Sequence, residues 1–293
     1  RPDPSVHLCA GVMSAATTTF CTFPLDTLKV RLQVNTHEPL GVVRTLRRLA
    51  RLEGLLGLYQ GVGAALMANS VSWGAYFYLY EAAKRRKAGP SGRQLTDLDH
   101  LLAAYESGAA CVLVTNPMWL VKTRLQIQRR STSAINYRGP LDALRRIVAE
   151  EGVLSLWRGT VPALFLTSNG ALQFMAYEYL KRELPPERYG YFSAALLSKL
   201  FSTTATYPMQ VIKSRLQQRQ SVLVASEASR ERVAKPRYAG VVDCVWQILR
   251  HEGIGGLYKG VLLNSIKVAP AAALTITVYE LALGALSAAR PPL

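Results

Sequence analysis

The 293-residue sequence has few residues of the kinds that build reactive or cross-linked sites. Its four cysteines lie far apart and include no Cys-x-x-Cys pair, which excludes a disulfide framework and the common zinc sites. Its four histidines include no His-Glu-x-x-His. Neither a P-loop nor a Gly-x-Ser-x-Gly elbow occurs, so the common hydrolase and nucleotidase motifs are absent.

Acidic residues are also scarce, since 19 Asp and Glu stand against 35 Lys and Arg and the net charge is +16. Only 18% of residues are charged, where about 25% is usual for a soluble domain. The mean hydropathy is +0.11 and 49% of residues are hydrophobic, which excludes a disordered chain. A basic and apolar composition indicates a membrane protein with cationic loops.

Long uncharged stretches support that interpretation. Residues 8–25, 55–80 and 159–177 carry no charged side chain, and a helix needs about 20 residues to cross a bilayer core. Three weaker candidates contain many small residues, as helix interfaces or a polar cavity wall require; they are residues 107–121, 189–212 and 268–279. We therefore predict six membrane-spanning helices.

One block of sequence occurs three times at matched offsets. Each copy runs from Pro-x-x-x-x-Lys through Arg-Leu-Gln to Glu-Gly, aromatic-x-Gly and finally Tyr-Glu. The copies begin at Pro24, Pro117 and Pro208. Matched offsets of this kind indicate a repeat architecture, here with repeats at about residues 5–88, 98–184 and 190–288.

Each repeat is predicted as a helix, a loop, a short amphipathic helix and a second helix. The short helices are predicted at residues 42–52, 141–150 and 241–251. The stretches between the first motif and the aromatic-x-Gly of each repeat hold 23 of the 35 basic residues. The sequence therefore predicts one strongly cationic side, with the termini and the loops between repeats on the other side.

These three ordered motifs resemble the mitochondrial carrier family over essentially the whole chain. The resemblance implies an all-α membrane protein with three pseudo-symmetric two-helix repeats around one central substrate site. It also implies alternating access between the cytosol and the matrix, in a multi-pass protein of the mitochondrial inner membrane. A peroxisomal or plastid membrane stays open as an alternative.

The resemblance implies a matrix gate of motif residues and glutamine braces, namely Asp26, Lys29, Trp119, Lys122, Gln210 and Lys213 with Gln33, Gln126 and Gln217. Asp26 supplies the only acid, so Asp26–Lys122 is the one standard ion pair expected. A cation–π contact between Trp119 and Lys213 and a hydrogen bond between Gln210 and Lys29 are expected in place of the other two. The matrix gate is therefore predicted to be weaker than one with three full ion pairs.

A cytosolic gate is implied at the ends of the second helices, comprising Tyr80, Glu81, Lys84, Tyr177, Glu178, Lys181, Tyr279 and Glu280. Glu81 is expected to pair with Lys181, and Glu280 with Lys84. Glycines at helix starts match the places where the family binds cardiolipin phosphates, which suit exposed N–H groups; they are Gly41, Gly61, Gly139, Gly159, Gly240 and Gly260.

Motifs around Trp119 and in the second helices resemble the branch of the family that carries folate and FAD; carriers of NAD, coenzyme A or pyrimidine nucleotides are the alternatives. The candidate substrate-binding residues are Asn69, Ser72, Trp73, Tyr76, Leu166, Asn169, Gln173, Phe174, Lys199 and Lys267. Lys267 in an apolar span favours an anionic ligand over a side chain that snorkels to the interface. Trp73 and Phe174 either stack on the ligand or pack against lipid and helices.

We thus expect a transporter of an anionic aromatic small molecule and not an enzyme, with folate or FAD as cargo and no cofactor or metal. Membrane lipid, with cardiolipin first, is the expected partner, nucleic acid is not, and family analogy favours a monomer. Two other classes stay open. A basic scaffold on nucleic acid or lipid would be released by salt, and a proton leak would show flux without an exchanged solute.

Overall fold

The computed structural model describes residues 4–35, 42–89, 93–128, 137–183, 190–218, 222–223, 234–235 and 238–288. These residues are almost entirely helical. The helices are α1 (Pro4–Val34), α2 (Val42–Glu53), α3 (Val62–Ala88), α4 (Asp97–Ile127), α5 (Pro140–Glu151), α6 (Thr160–Thr167), α7 (Asn169–Glu183), α8 (Gly190–Gln217), α9 (Val241–Glu252) and α10 (Val261–Ala288). A two-residue antiparallel ladder joins β1 (Val222–Leu223) to β2 (Ala234–Lys235).

The described helices follow the repeats. The first helices α1, α4 and α8 each contain the motif proline in their interior. The short helices α2, α5 and α9 follow, each succeeded by a five-residue 3₁₀ turn. The second helices are α3, the α6–α7 pair and α10. We call the face that carries α2, α5 and α9 the short-helix side, and the opposite face the terminal side.

The second helix of the middle repeat is interrupted at Ser168, where the sequence predicted one continuous span. The Ser168 N–H donates to the Phe165 carbonyl at 3.3 Å, a 3₁₀-type bond. In this repeat the tyrosine of Tyr-Glu follows the aromatic-x-Gly glycine by 18 positions, whereas in the other two it follows by 19. Because a 3₁₀ turn rises about 2.0 Å per residue against about 1.5 Å in an α-helix, it recovers the length of the missing residue.

By length and composition, one segment of the described chain is apolar enough to cross a membrane, Ile254–Ala285, with a mean hydropathy of 1.6. Charged motif residues and polar side chains lower the hydropathy of the first helices. Large apolar side chains are nevertheless more than half exposed along every long helix, for example Val12, Phe77, Val114, Phe165, Phe201 and Ile276. Such surfaces are typical of contact with lipid or another protein.

The buried apolar side chains form three clusters, and each lies against a short helix. Leu49 of α2 packs with Leu28 and Leu58, Ile147 of α5 with Leu120 and Leu156, and Ile248 of α9 with Tyr207 and Ile212. The periodic apolar residues of the short helices therefore cover the ends of the first helices. This packing makes the short-helix side the dense end of the molecule.

Candidate functional site

Three buried arginines tie the short-helix side together. Each comes from the Arg-Leu-Gln of its repeat and grips the Glu-Gly carboxylate of the same repeat with both guanidinium nitrogens. The shorter contact of each pair measures 2.8 Å for Arg31–Glu53 and 2.5 Å for Arg124–Glu151 and Arg215–Glu252. Such forked pairs are among the strongest polar contacts in proteins.

The same arginines also join neighbouring repeats. The Nε–H of Arg31 donates to the backbone carbonyl of Gln126 at 2.8 Å. Arg124 donates in the same way to Gln217 at 3.1 Å, and Arg215 to Gln33 at 2.9 Å, which closes a ring of three. We call these three arginines with their glutamates the arginine ring. The threefold recurrence of Arg-Leu-Gln and Glu-Gly is visible in the sequence, but it did not by itself predict these contacts.

Two charged partners surround the third glutamate of the arginine ring. Burial raises the pKa of Glu252, but hydrogen bonds from Arg215 and Lys259 outweigh it and hold the pKa below its ordinary value. The Lys259 ammonium lies 2.5 Å from a Glu252 oxygen. This carboxylate therefore stays ionised and keeps its grip on Arg215 down to pH values below its ordinary titration range.

The glutamines expected as braces make side-chain contacts between repeats. Gln33 Nε2 donates to the Tyr207 hydroxyl at 3.0 Å, and Gln217 Oε1 accepts from Thr123 at 2.9 Å. Gln126 Nε2 lies 3.4 Å from Thr27 Oγ1. The arginine ring and these amides thus bind the same ends of the first helices.

The aromatic-x-Gly glycines allow the second helices to start against this bundle. Gly61, Gly159 and Gly260 have φ values of 85°, 80° and 86°, in the left-handed region that favours glycine. A Cβ at Gly159 would lie 3.3 Å from the Lys213 carbonyl oxygen, and a Cβ at Gly61 3.4 Å from that of Lys122. These glycines therefore have a packing function besides the expected contact with lipid.

A groove of about 310 Å³ lies on the short-helix side between the second and third repeats. Gly159 at the start of α6 and Gly240 at the start of α9 line it, together with Arg158 and Arg215. Gly139 holds the equivalent position before α5. Gly41, the sixth glycine expected to bind lipid, lies outside the described residues.

The lysines of the three motifs lie one helical turn from the braces and make mostly uncharged contacts. Lys29 Nζ donates to Gln210 Oε1 at 2.9 Å and to Asn264 Oδ1 at 2.7 Å. Lys213 Nζ lies 5.6 Å from the centroid of the Trp119 ring. Both contacts are those expected from the substitutions at positions 119 and 210, while a gating function for them stays a prediction.

Asp26 has a different partner from the one predicted. Its Oδ1 lies 2.6 Å from Lys267 Nζ on α10, and no ion pair joins it to Lys122 in this described part of the chain. The Lys122 ammonium instead lies 5.8 Å from the Trp119 ring and 6.0 Å from the Phe23 ring. Position along the helices allowed either lysine, and the close packing of α1 on α10 favours Lys267.

A cavity of about 620 Å³ opens between α7, α8 and α10. Its described polar lining comprises Asn169, Gln173, Lys199, Thr203, Gln210, Asn264 and Lys267, so two cations and no acid are among the described lining residues. Lys199 Nζ donates to Gln173 Oε1 at 3.0 Å. Asn169, just after the helix interruption, donates to the Thr206 hydroxyl at 2.8 Å. Four of the predicted substrate residues therefore line one cavity.

The remaining predicted substrate residues do not line that cavity; they are Asn69, Ser72, Trp73, Tyr76, Leu166 and Phe174. Ser72 accepts a hydrogen bond from Trp119 Nε1 at 3.0 Å, which orients the indole between two lysines. Trp73 is 62% exposed and stacks on Phe77, and Phe174 is 64% exposed. Their stacking on a ligand stays a prediction.

Within the described part of the terminal side, the contacts of the gate residues are with their own or the adjacent helix. Glu81 pairs with Lys84 of the same helix at 2.9 Å. The Tyr80 hydroxyl lies 3.2 Å from His100 Nδ1, and that of Tyr279 lies 2.7 Å from His7 Nδ1. Tyr177 and Glu178 are partly exposed, and Lys181 and Glu280 are exposed.

The expected pairs Glu81–Lys181 and Glu280–Lys84 are not formed in this conformation of the described chain. In the described chain, hydrogen bonds therefore join the repeats to one another on the short-helix side, which we call the closed end. The expected ion pairs between repeats are missing among the described residues of the terminal side, which we call the open end. The two histidine contacts were missed from the sequence, although His7 and His100 both lie 17 residues before a motif proline.

Comparison with known proteins agrees with the threefold geometry. The family model described as mitochondrial carrier protein matches residues 1–90, 93–188 and 185–288. The chain is 38% identical to a chloroplastic folate transporter of Arabidopsis thaliana, over 92% of each protein. A chloroplastic nicotinamide adenine dinucleotide transporter of the same plant is 34% identical, over 93% of this chain and 88% of the relative.

The mitochondrial FAD carrier protein of Saccharomyces cerevisiae is 30% identical to the chain, over 94% of each protein. All three relatives are transporters by name. The likeness covers nearly the full length of each, and the family match recurs once per structural repeat. The chain therefore belongs to the mitochondrial carrier family.

Proposed function

We propose that the protein carries a folate or FAD across an organelle membrane by alternating access at one central site. The observation that carries this proposal is the 620 Å³ cavity with Lys199 and Lys267 in its lining. The arginine ring closes the short-helix side next to it. A charged cavity closed at one end and open at the other is the arrangement that a carrier needs in one of its two states.

The lining favours an anionic ligand with many polar groups. Ionisable side chains within a membrane are costly and mark the paths of charged solutes, and here two lysines face a space with no lining acid. The volume lies within the range of about 300–1,000 Å³ usual for small-molecule sites. The side-chain amides of Asn169, Gln173 and Asn264 provide hydrogen-bond donors and acceptors for the uncharged part of the ligand.

The names of the relatives support folate and FAD, and they support NAD equally. The folate relative is 38% identical, the NAD relative 34% and the FAD relative 30%. We therefore keep NAD as the second candidate, with coenzyme A and pyrimidine nucleotides behind it. All of these are anions that carry an aromatic ring system.

Six membrane spans formed by α1, α3, α4, the α6–α7 pair, α8 and α10 are part of the proposal. Each of these elements exposes large apolar side chains, and the cavity accounts for several of the polar residues in α7, α8 and α10. The mitochondrial inner membrane is the proposed location, and the plastid relatives keep the plastid envelope as the alternative. Because the cavity lies within one chain, a monomer suffices.

Opening the short-helix side would separate Lys29 from Gln210 and Lys213 from Trp119. On the terminal side, Glu81 would then pair with Lys181 and Glu280 with Lys84, supported by the tyrosines of the Tyr-Glu motifs. The 310 Å³ groove between α6 and α9 suits an anionic headgroup such as cardiolipin, since helix N-termini face it. These interactions would hold neighbouring repeats in register during the movement.

The test is ligand-dependent thermal unfolding of the purified protein in detergent with cardiolipin. FAD, 5-formyltetrahydrofolate, NAD, coenzyme A and UTP are compared, followed by uptake of the best ligand into proteoliposomes. We expect a selective shift for FAD or the folate that Lys267→Ala strongly weakens and that Arg86→Ala, a control whose side chain beside Glu106 is 71% exposed, retains. A selective shift for NAD, coenzyme A or UTP would overturn the folate and FAD assignment.

A further inference from the structure

Among the described residues, Asp26 is the carboxylate that pairs with a cation of the 620 Å³ cavity. Its Oδ1 lies 2.6 Å from Lys267 Nζ, with the two side chains 25% and 24% exposed. Lys267 belongs to the cavity lining, whereas Asp26 reaches it from α1. A carboxylate of the protein thus occupies the position where an anionic ligand would meet Lys267.

Several cations lie near Asp26, and Lys267 depends on it more than the others do. Lys29 and Lys122 also attract Asp26 electrostatically, so three lysine ammonium groups interact with the one carboxylate. Lys29 additionally has the amide oxygens of Gln210 and Asn264, and Lys122 faces two aromatic rings. Lys267 has Asp26 as its ion-pair partner in the described chain. An anion that binds Lys267 must therefore displace Asp26 or share the lysine with it.

We propose that Asp26 acts as an internal competitor for the anionic group of the substrate at Lys267, and that its displacement releases α1 from α10. This inference rests on the proposed function and concerns the same site. The Asp26–Lys267 pair joins the first repeat to the third. A carboxylate or phosphate of the substrate that replaces Asp26 pairs with Lys267 but does not join the first repeat to the third.

The inference separates affinity from transport. An occupied lysine reduces the apparent affinity for the ligand by the fraction of protein in which the lysine is free. Asp26→Asn removes the charge and keeps the shape, so we expect at least about tenfold tighter binding. Transport should fall in the same variant, because ligand binding at Lys267 then no longer breaks a pair between α1 and α10. Asp26→Glu keeps a carboxylate and should bind like the wild type.

The experiment measures dissociation constants in detergent for FAD, 5-formyltetrahydrofolate, pyrophosphate and uncharged riboflavin. Wild type, Asp26→Asn, Asp26→Glu, Lys267→Ala and the Asp26→Asn/Lys267→Ala double variant are compared. Thermal unfolding without ligand shows that each variant is folded. The gain in Asp26→Asn should disappear in the Lys267→Ala background and should be absent for riboflavin.

An equal gain in both backgrounds would show a general electrostatic effect and overturn the inference. Unchanged or weaker anion binding by folded Asp26→Asn would also overturn it. If pyrophosphate shows the competition while FAD and the folate do not bind, the inference holds and the proposed substrates are wrong. If none of the anions binds any variant, both are wrong.

Discussion

The two ends of the molecule are held together by different kinds of contact. On the short-helix side, the arginine ring joins all three repeats through guanidinium groups, carboxylates and backbone carbonyls. On the terminal side, Glu81 pairs with Lys84 in its own helix, and two tyrosines contact histidines of the adjacent helix. The closed end is therefore connected around the ring, and the open end only between neighbours.

This difference shows which contacts a conformational change has to break. The Arg–Glu pairs lie within single repeats, so they can persist while the repeats separate. The three hydrogen bonds from Arg Nε to glutamine carbonyls cross between repeats, so the opening proposed above would have to break them. Because these bonds close the short-helix side, the chain can lack two of the three expected acids and still adopt this state.

The largest effect should come from breaking the arginine ring. Arg31 and Glu53 have side chains only 5% and 4% exposed, so Arg31→Met leaves an unpaired buried carboxylate. We expect a loss of about 3–5 kcal/mol in the free energy of unfolding, measured by denaturant or thermal unfolding in detergent with cardiolipin. Arg31→Met also removes the hydrogen bond from Arg31 to the Gln126 carbonyl, which joins the first repeat to the second.

Arg146→Met is the matched control for that prediction. Arg146 pairs with Asp142 four residues away on an exposed face of α5, at 3.0 Å. Exposed pairs contribute about 0–1 kcal/mol, so this variant should unfold nearly like the wild type. Similar losses in the two variants would show that the arginine ring has no special importance for stability.

A smaller effect is expected from adding a charge to the closed end. In Gln210→Glu the acceptor of Lys29, now 2.9 Å away, becomes a carboxylate, and charge-assisted hydrogen bonds are about twice as strong as neutral ones. We expect a higher unfolding temperature and about tenfold slower uptake into proteoliposomes, which corresponds to about 1.4 kcal/mol in the barrier.

Gln94→Glu, on an exposed segment before α4, controls for the added charge. Gln210→Met should act in the opposite direction, because Lys29 then keeps only Asn264 as an amide partner. Unchanged uptake in Gln210→Glu, with a normal unfolding temperature, would mean that the Lys29–Gln210 contact does not contribute to the closed state.

Most of the fold could be predicted from the repeats, since their matched offsets located all three short helices to within about two residues. The Lys29–Gln210 and Lys213–Trp119 contacts could also be predicted, because Gln210 and Trp119 stand where the motif would have an acid. The choice of Asp26 between Lys122 and Lys267 did not follow, because helix positions allow both and side-chain packing decides. The interruption at Ser168 depends on one missing residue, and its compensation by a 3₁₀ turn is a local backbone solution that periodicity does not show.

The smallest effect on stability is expected at the open end. Glu81→Gln removes an exposed pair spaced i,i+3, and such pairs contribute about 0.2–0.5 kcal/mol, so thermal unfolding should barely change. Uptake should nevertheless fall, because Glu81 is the proposed partner of Lys181 in the opposite state. Glu106→Gln, which loses an exposed pair with Arg86 and a part-buried pair with Lys87 on the same side, provides the comparison. Equal uptake losses in both variants would assign the effect to surface charge, and no loss in Glu81→Gln would remove Glu81 from the gate.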